Sequence, residues 1–395
     1  MKTNYQFIMI AWIGFVALSY LTPWWNRLYF LWDDIELLVR LHRFSIEAIF
    51  TPLQYQFFPT FQFLYWLEIQ LFGINSSLFV GVTVLLHLTN IVLVYKIITR
   101  LTRNQLLAFI GSVLVSFNKS YFTIIFWPSF QSSVFSTTFS LVSVILWFQL
   151  MAKYDKKRLL FFVLSNIAAA TSFGFANFNG FIFAIMTFFF WKQSQMRRTV
   201  AVFSILTGVA VTGLTLLAAS EALHGDQIVN ISPYKLFNMA YFIAVGPTQG
   251  VITKFFLPGF IPDRFNSGNI FVMILVPLVV IAFFLWIARL SVIKQGQKGR
   301  KAIGNIILLS GFFVSPYIVA SLARTHEGAL GALAERYVYF PFFFFSLAMV
   351  YVFSLVKNLW PRRRHLIQTL IAGGTIVLSV GHQIVMHLQV NLLFR

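Results

Sequence analysis

Apolar residues run in long blocks from one end of the chain to the other, and the polar stretches between them are mostly short. A helix needs about 20 predominantly apolar residues to cross a bilayer. Blocks of this kind occur at 6–22, 78–98, 105–122, 130–151, 159–173, 176–191, 199–219, 270–290, 303–323, 337–356 and 365–386. The pattern predicts an all-α polytopic membrane protein of about eleven spans, the fifth and sixth of them short. Residues 57–72, FFPTFQFLYWLEIQLF, are also apolar, but they carry Pro59, Gln62 and Glu68 and are bracketed by Pro52 and Gly73. That segment is predicted to be re-entrant or to lie in the interface. No period of 20–50 residues is present, so residues 1–395 read as a single transmembrane domain.

Composition strengthens this picture. Hydrophobic residues make up 58% of the 395 and charged residues 10%, against about 25% charged in a soluble domain. The 48 Phe and 10 Trp suit lipid-facing and interfacial surface. Cysteine is absent, which removes a disulfide framework and any thiolate metal site.

Charge then sets the topology. With the N-terminus inside and 57–72 not crossing, the inner connections carry 20 basic residues and one acid, Asp155, and the outer ones 10 basic and 10 acidic. The whole net charge of +19 therefore falls on one face. Excess Lys and Arg mark the cytoplasmic side, so the charge is a topology signal and not a nucleic-acid surface. The N-terminus is expected in the cytoplasm and the C-terminus outside. Long outer loops follow at 23–77, 220–269 and 324–336. Lys2, an apolar run and Ala17-Leu18-Ser19 resemble a secretory signal. The run continues through Tyr20 and Leu21 to Trp24-Trp25, which favours an uncleaved first span.

The candidate chemistry lies among the outer acids. Asp33, Asp34, Glu36, Glu47 and Glu68 share the first outer loop. Asp33 and Asp34 directly follow Trp32 and an apolar run, at headgroup level, where carboxylates are costly and tend to be functional. Three uses fit the pair. One Asp could be a general base within reach of an acceptor proton. The two could supply oxygen ligands to a divalent cation. They could also pair with Arg40 or Arg43. Neighbours on a helix point about 100° apart, so one Asp can face a reaction centre while the other organises its surroundings. Glu36 and Arg40 stand at i,i+4 and can pair. His87 and Asn90, at i,i+3 in the second span, either line a cavity or bond between helices. The chain has no Gly-rich phosphate loop and no Gly-x-Ser-x-Gly. The spans hold almost no ionisable residues, which argues against an ion-coupled transporter.

Four features in order carry a family resemblance: WDD (32–34) after the first span; Pro59 opening FQFLYWLEIQLFGINSSLF; LLHLTNIVLVYKIITRL (85–101) with its basic end; and LAERYVYFP (333–341). Together they resemble the integral-membrane glycosyltransferases of the GT-C superfamily, which use polyprenyl-phosphate-linked sugars. The likeness is to transmembrane/TPR-type protein O-mannosyltransferases and to bacterial aminoarabinose transferases. It covers residues 1–150 well and 330–345 locally.

The resemblance implies a fold of 11–13 spans in a bacterial cytoplasmic membrane and an inverting transfer on the outer face. The donor is a polyprenyl-phosphate sugar, and the acceptor is a glycan, lipid or protein. Asp33 is then the candidate base, and Asp34 orients it or helps to bind the acceptor or a divalent cation; no other cofactor is implied. Arg336 is the candidate phosphate contact, with Arg324 and His326 as second choices. Glu36, Glu68 and Tyr337 are candidates for acceptor or loop support. The chain departs from the family at Phe58, where a basic residue is usual, and at FWPSFQSS (126–133), where a His-Pro or an acid is common. It also has no TPR repeats. The alternatives are a lipid-linked glycan flippase or transporter, or a surface-polysaccharide polymerase or ligase.

Overall fold

The computed structural model describes residues 5–21, 30–53, 56–118, 120–189, 195–222, 233–257, 267–323 and 337–393. Its helices are α1 (Tyr5–Leu21), α2 (Trp32–Leu41), α3 (Ile46–Phe50), α4 (Pro59–Phe72), α5 (Ser76–Thr102), α6 (Gln105–Ser116), α7 (Tyr121–Phe126) and α8 (Gln131–Ala152). They continue as α9 (Lys156–Ser172), α10 (Asn179–Phe189), α11 (Gln195–Ala222), α12 (Pro233–Val245), α13 (Ser267–Gln295), α14 (Gln297–Ala323), α15 (Tyr339–Leu359) and α16 (Arg364–Leu393). No strand occurs among the described residues, only a single bridge between Leu53 and Gln56.

Among the described residues, seven helices (α5, α8, α11, α13, α14, α15 and α16) are long and apolar enough to cross a membrane. The chain is a multi-pass integral membrane protein. The other four predicted spans are helical but shorter: α1 and α9 have 17 residues, α6 has 12 and α10 has 11. A 12-residue helix rises about 18 Å, short of the roughly 30 Å of a hydrocarbon core. Two of these helices, α6 and α9, end for a local reason. Phe117 after α6 and Phe173 after α9 both turn extended, at φ −134° and −159°. Non-helical backbone at membrane depth persists where it lines a cavity, and Phe173 does line one.

Helix α15 is the hub, with nearly all of its residues buried. Lipid tails are as apolar as leucine, so burial here comes from close packing and interhelical bonds rather than from escape from water. Phe312 of α14 stacks on Phe344 at 4.6 Å between ring centroids. His87 of α5 joins three elements, through Nδ1 to the Tyr339 hydroxyl (2.8 Å) and through Nε2 to the Ser116 carbonyl (3.1 Å). Asn90 Nδ2 also donates to Tyr339 (3.3 Å). Of the two readings of His87 and Asn90, the structure shows bonding between helices.

Residues 57–72 form α4, begun by Pro59 at its first position, where the missing N–H costs nothing. Gly73 ends it with φ at +60°, a conformation glycine adopts freely. The helix packs on α9, α2 and α3. Three of its polar residues point inward: Gln62, Tyr65 and Glu68 are buried, while Phe63, Leu67 and Leu71 are exposed. A soluble helix has the reverse arrangement.

Gly180 marks a close helix crossing. A Cβ there would sit 2.4 Å from the Ser204 carbonyl and 2.7 Å from the Gly208 nitrogen of α11. Small residues let membrane helices approach this closely. Gly180→Ala is expected to lower the thermal midpoint in detergent, with overpacking costing about 1–3 kcal/mol. Gly213→Ala, in the same bundle but with nothing within 4 Å of its added Cβ, should leave the midpoint unchanged or raised. Equal midpoints for the two variants would refute the close-approach account.

Candidate active site

The site begins with the start of α2. Asp34 is the third residue of that helix, and its Oδ2 reaches back to accept from the Leu31 backbone amide at 2.8 Å. This satisfies one of the N–H groups that every helix start leaves without a partner. The other oxygen, Oδ1, accepts from the Ser129 amide (2.6 Å) and the Tyr65 hydroxyl (3.4 Å). One fully buried carboxylate thus ties three separate segments together: its own helix, α4, and the turn between α7 and α8. Burial pushes the Asp34 carboxyl up to about 6, against the lowering effect of the Leu31 and Ser129 amides and the Tyr65 hydroxyl. Tyr65 is raised far above its ordinary range, first by burial and then by the charges of Asp34 and Glu68.

Asp33 points elsewhere. It is half-buried and lines a cleft that encloses about 490 Å³ between protein atoms, its open mouth included. Gln56, Ser129 and Ser132 add polar atoms to the wall, and Phe58, Phe61 and Phe173 add aromatic surface. Tyr337, at the entrance to α15, closes one side. The lining residues come from connections that alternate along the chain with the Lys- and Arg-rich ones. An acid beside amide, hydroxyl and aromatic surface can receive a polyol, accept a proton from it and stack against its apolar faces.

The other sequence candidates fall in different places. Glu36 is exposed on α2 and does not line the cleft. Arg40 donates to the Ala48 carbonyl at 2.9 Å, to the Thr51 carbonyl, and to the Pro52 carbonyl at 3.2 Å, so it caps the end of α3. The partners of Asp34 are backbone amides and a phenol, so its structural role does not come from an arginine. Glu68 is buried on α4 outside the cleft wall. Arg324, His326 and Arg336 lie outside the described residues.

The donor set does not fit a divalent cation held by the acid pair. Both Asp34 oxygens already accept hydrogen bonds, three in all. No group of three or more converging His, Asp or Glu residues exists among the described ones, and Ca²⁺ or Mg²⁺ needs about six oxygen ligands.

Sequence reasoning did not single out Gln56, Ser129, Ser132 or Phe173. A signal existed for two of them. Trp127-Pro128 interrupts the apolar pattern, and Ser129, Gln131, Ser132 and Ser133 follow at once. A cluster of polar residues at the mouth of a span marks a lined cavity better than it marks a departure from a motif.

No protein-family model matches the chain, and no curated protein matches it significantly. Among solved structures, the chain is similar to the archaeal oligosaccharyltransferase AglB from Archaeoglobus fulgidus in complex with an inhibitory peptide and a dolichol-phosphate. That match has a TM-score of 0.48 and 12% identity, over 98% of this chain and 56% of the other. It is also similar to the Archaeoglobus fulgidus oligosaccharyltransferase tethered to an acceptor peptide containing the NVT sequon, with a TM-score of 0.49 and 14% identity, over 98% and 55%. The chain spans a little over half the length of these structures.

Proposed function

We propose that this protein is an integral-membrane glycosyltransferase that moves a sugar from a polyprenyl-phosphate donor to an acceptor on the outer face, with inversion. The observation that carries the reading is the division of the acid pair. Asp34 accepts the amides that fix the start of α2 and the turn before α8, and Asp33 lines the wall of a cleft with amide, hydroxyl and aromatic neighbours. The order of motifs resembling the GT-C superfamily supports the same reading.

In this mechanism the Asp33 carboxylate accepts the proton of an acceptor hydroxyl or amine. The acceptor atom forms a bond to the anomeric carbon, and the bond from that carbon to the phosphate oxygen breaks. The electron pair leaves on the polyprenyl phosphate, and attack from the face opposite the leaving group inverts the centre. Charge develops on the departing phosphate, where guanidinium donors stabilise it. Arg336, the covalent neighbour of the cleft residue Tyr337, is assigned that role, with Arg324 and His326 in support. Tyr337 and Glu68 support the cleft; Glu36 lies outside it.

The test is turnover of polyprenyl-phosphate sugars by the purified protein in lipid nanodiscs. Released polyprenyl phosphate together with a glycosylated product, read by mass spectrometry, supports transfer. Passage of the intact lipid-linked sugar across a vesicle membrane without cleavage would instead establish a flippase and overturn the proposal.

A further inference from the structure

Outside the cleft wall, the group the mechanism leaves unused is Glu68. It is only 5% exposed. Its neighbour Gln131, the first residue of α8, is fully buried. The Gln131 side-chain amide reaches the Phe79 carbonyl at 3.5 Å and interacts with the Glu68 carboxyl. Two acceptors then remain without a partner, and they belong to this same pair of side chains: Glu68 Oε2 and Gln131 Oε1. A buried acceptor left unpaired costs about 1–3 kcal/mol, and an ionised carboxylate without a cation costs far more.

One proton resolves both vacancies. We propose that Glu68 is carried as a neutral carboxylic acid whose hydroxyl donates to the Gln131 side-chain carbonyl. The result is a two-bond acid–amide clamp that holds α4 on the start of α8. Glu68 is thus a positioning residue. It lies one helical turn after Tyr65, whose hydroxyl reaches Asp34, and Gln131 lies two residues after Ser129, whose amide reaches the same carboxylate. The clamp therefore sets the spacing of the two segments that Asp34 bridges, and with it the cleft wall that carries Asp33. Its bearing on transfer rests on the proposed function; the clamp itself does not.

Among the described residues, none supplies Glu68 with a compensating cation. On α2, Arg40 is spent on the carbonyls at the end of α3 and Asp34 is itself an acid. Glu47 of α3 is exposed, and His87 of α5 is bonded to Tyr339 and Ser116. The charges of α9, Lys156, Lys157 and Arg158, stand at its first turn, the end opposite Phe173. Tyr65 is the titratable neighbour on α4 itself. Burial accordingly pushes the Glu68 carboxyl up to about 8, opposed only by the bond from Gln131.

The experiment compares the full-length protein with Glu68→Gln and Gln131→Leu in lipid nanodiscs across a pH series. Infrared spectra should show a protonated-carboxyl stretch at neutral pH that titrates away near pH 8, and Glu68→Gln should lack it. The folded carboxyl titrates higher than the unfolded one, so stability should fall as pH rises and level off once Glu68 ionises. Glu68→Gln, whose amide keeps both bonds to Gln131, should lose that pH dependence and stay as stable as the parent at neutral pH. Gln131→Leu should unfold at a lower temperature at every pH.

Where transfer is measurable, the parent should lose activity above pH 8 and Glu68→Gln should not. Absence of the infrared band, or its persistence in Glu68→Gln, would overturn the clamp. So would a Glu68→Gln protein that fails to accumulate, since that would show the charge to be required. A clamp seen by infrared and melting in a protein without transferase activity would leave this inference standing and remove the proposed function.

Discussion

Replacing Asp33 by asparagine is expected to reduce sugar transfer by about 10²–10⁴-fold, the usual contribution of a general base, while the protein still inserts and folds. Asparagine keeps the shape of the side chain and its place on the first turn of α2. It cannot take a proton from the acceptor. Asp33 is half-buried and lines the cleft, whereas the Leu31 and Ser129 amides at the start of α2 and the turn before α8 bond to its neighbour Asp34. The thermal midpoint should therefore shift only slightly, by the lost interaction of a carboxylate with a helix N-terminus, about 0.3–1 kcal/mol. Turnover with a polyprenyl-phosphate sugar and the melting temperature should be measured on the same preparation. Full turnover in Asp33→Asn would remove Asp33 as the base.

The companion variant should behave in the opposite way. Asp34→Ala is expected to destabilise the protein strongly and to disable the cleft with it. It leaves the Leu31 and Ser129 amides and the Tyr65 hydroxyl without their acceptor. Each buried donor left unpaired costs about 1–3 kcal/mol, and losses of that size are a large share of a native state's margin.

The pH dependence has a definite sign. Burial pushes the folded carboxyl up to about 6, above its ordinary value. Folding therefore favours the protonated form, and the contribution of Asp34 to stability is greatest below its unfolded value and declines as pH rises towards 6. Asp34→Asn should abolish that segment of the stability curve while also lowering the curve as a whole, because its amide NH₂ now faces a backbone N–H. A variant that melts like the parent across this range would refute the anchoring role.

The contrast between the two variants cannot be obtained from motif reading alone. Both acids sit in one tripeptide, Trp32-Asp33-Asp34, and helical geometry says only that they face different ways. A partial cue was present: an acid at the third position of a helix can reach back to the residue before its start. The decisive partners, Ser129 and Tyr65, are 95 and 31 residues away in sequence. Residues 57–72 were legible as a helix bounded by Pro59 and Gly73. Their orientation was not, because the partners that bury Gln62, Tyr65 and Glu68 come from distant segments.

The sequence by itself determined the membrane character, the location of the eleven apolar segments and the position of the acid pair after the first of them. These follow from hydropathy and charge, which act residue by residue along the chain. Tertiary structure decided three things: where α6 and α9 give way to extended backbone, which acid is buried, and which residues wall the cleft. Gln56, Ser129, Phe173 and Tyr337 meet Asp33 only once distant helix ends are brought to one place. That meeting depends on interhelical packing and on the pairing of buried polar groups. Both are properties of contacts between segments, and no local pattern encodes them.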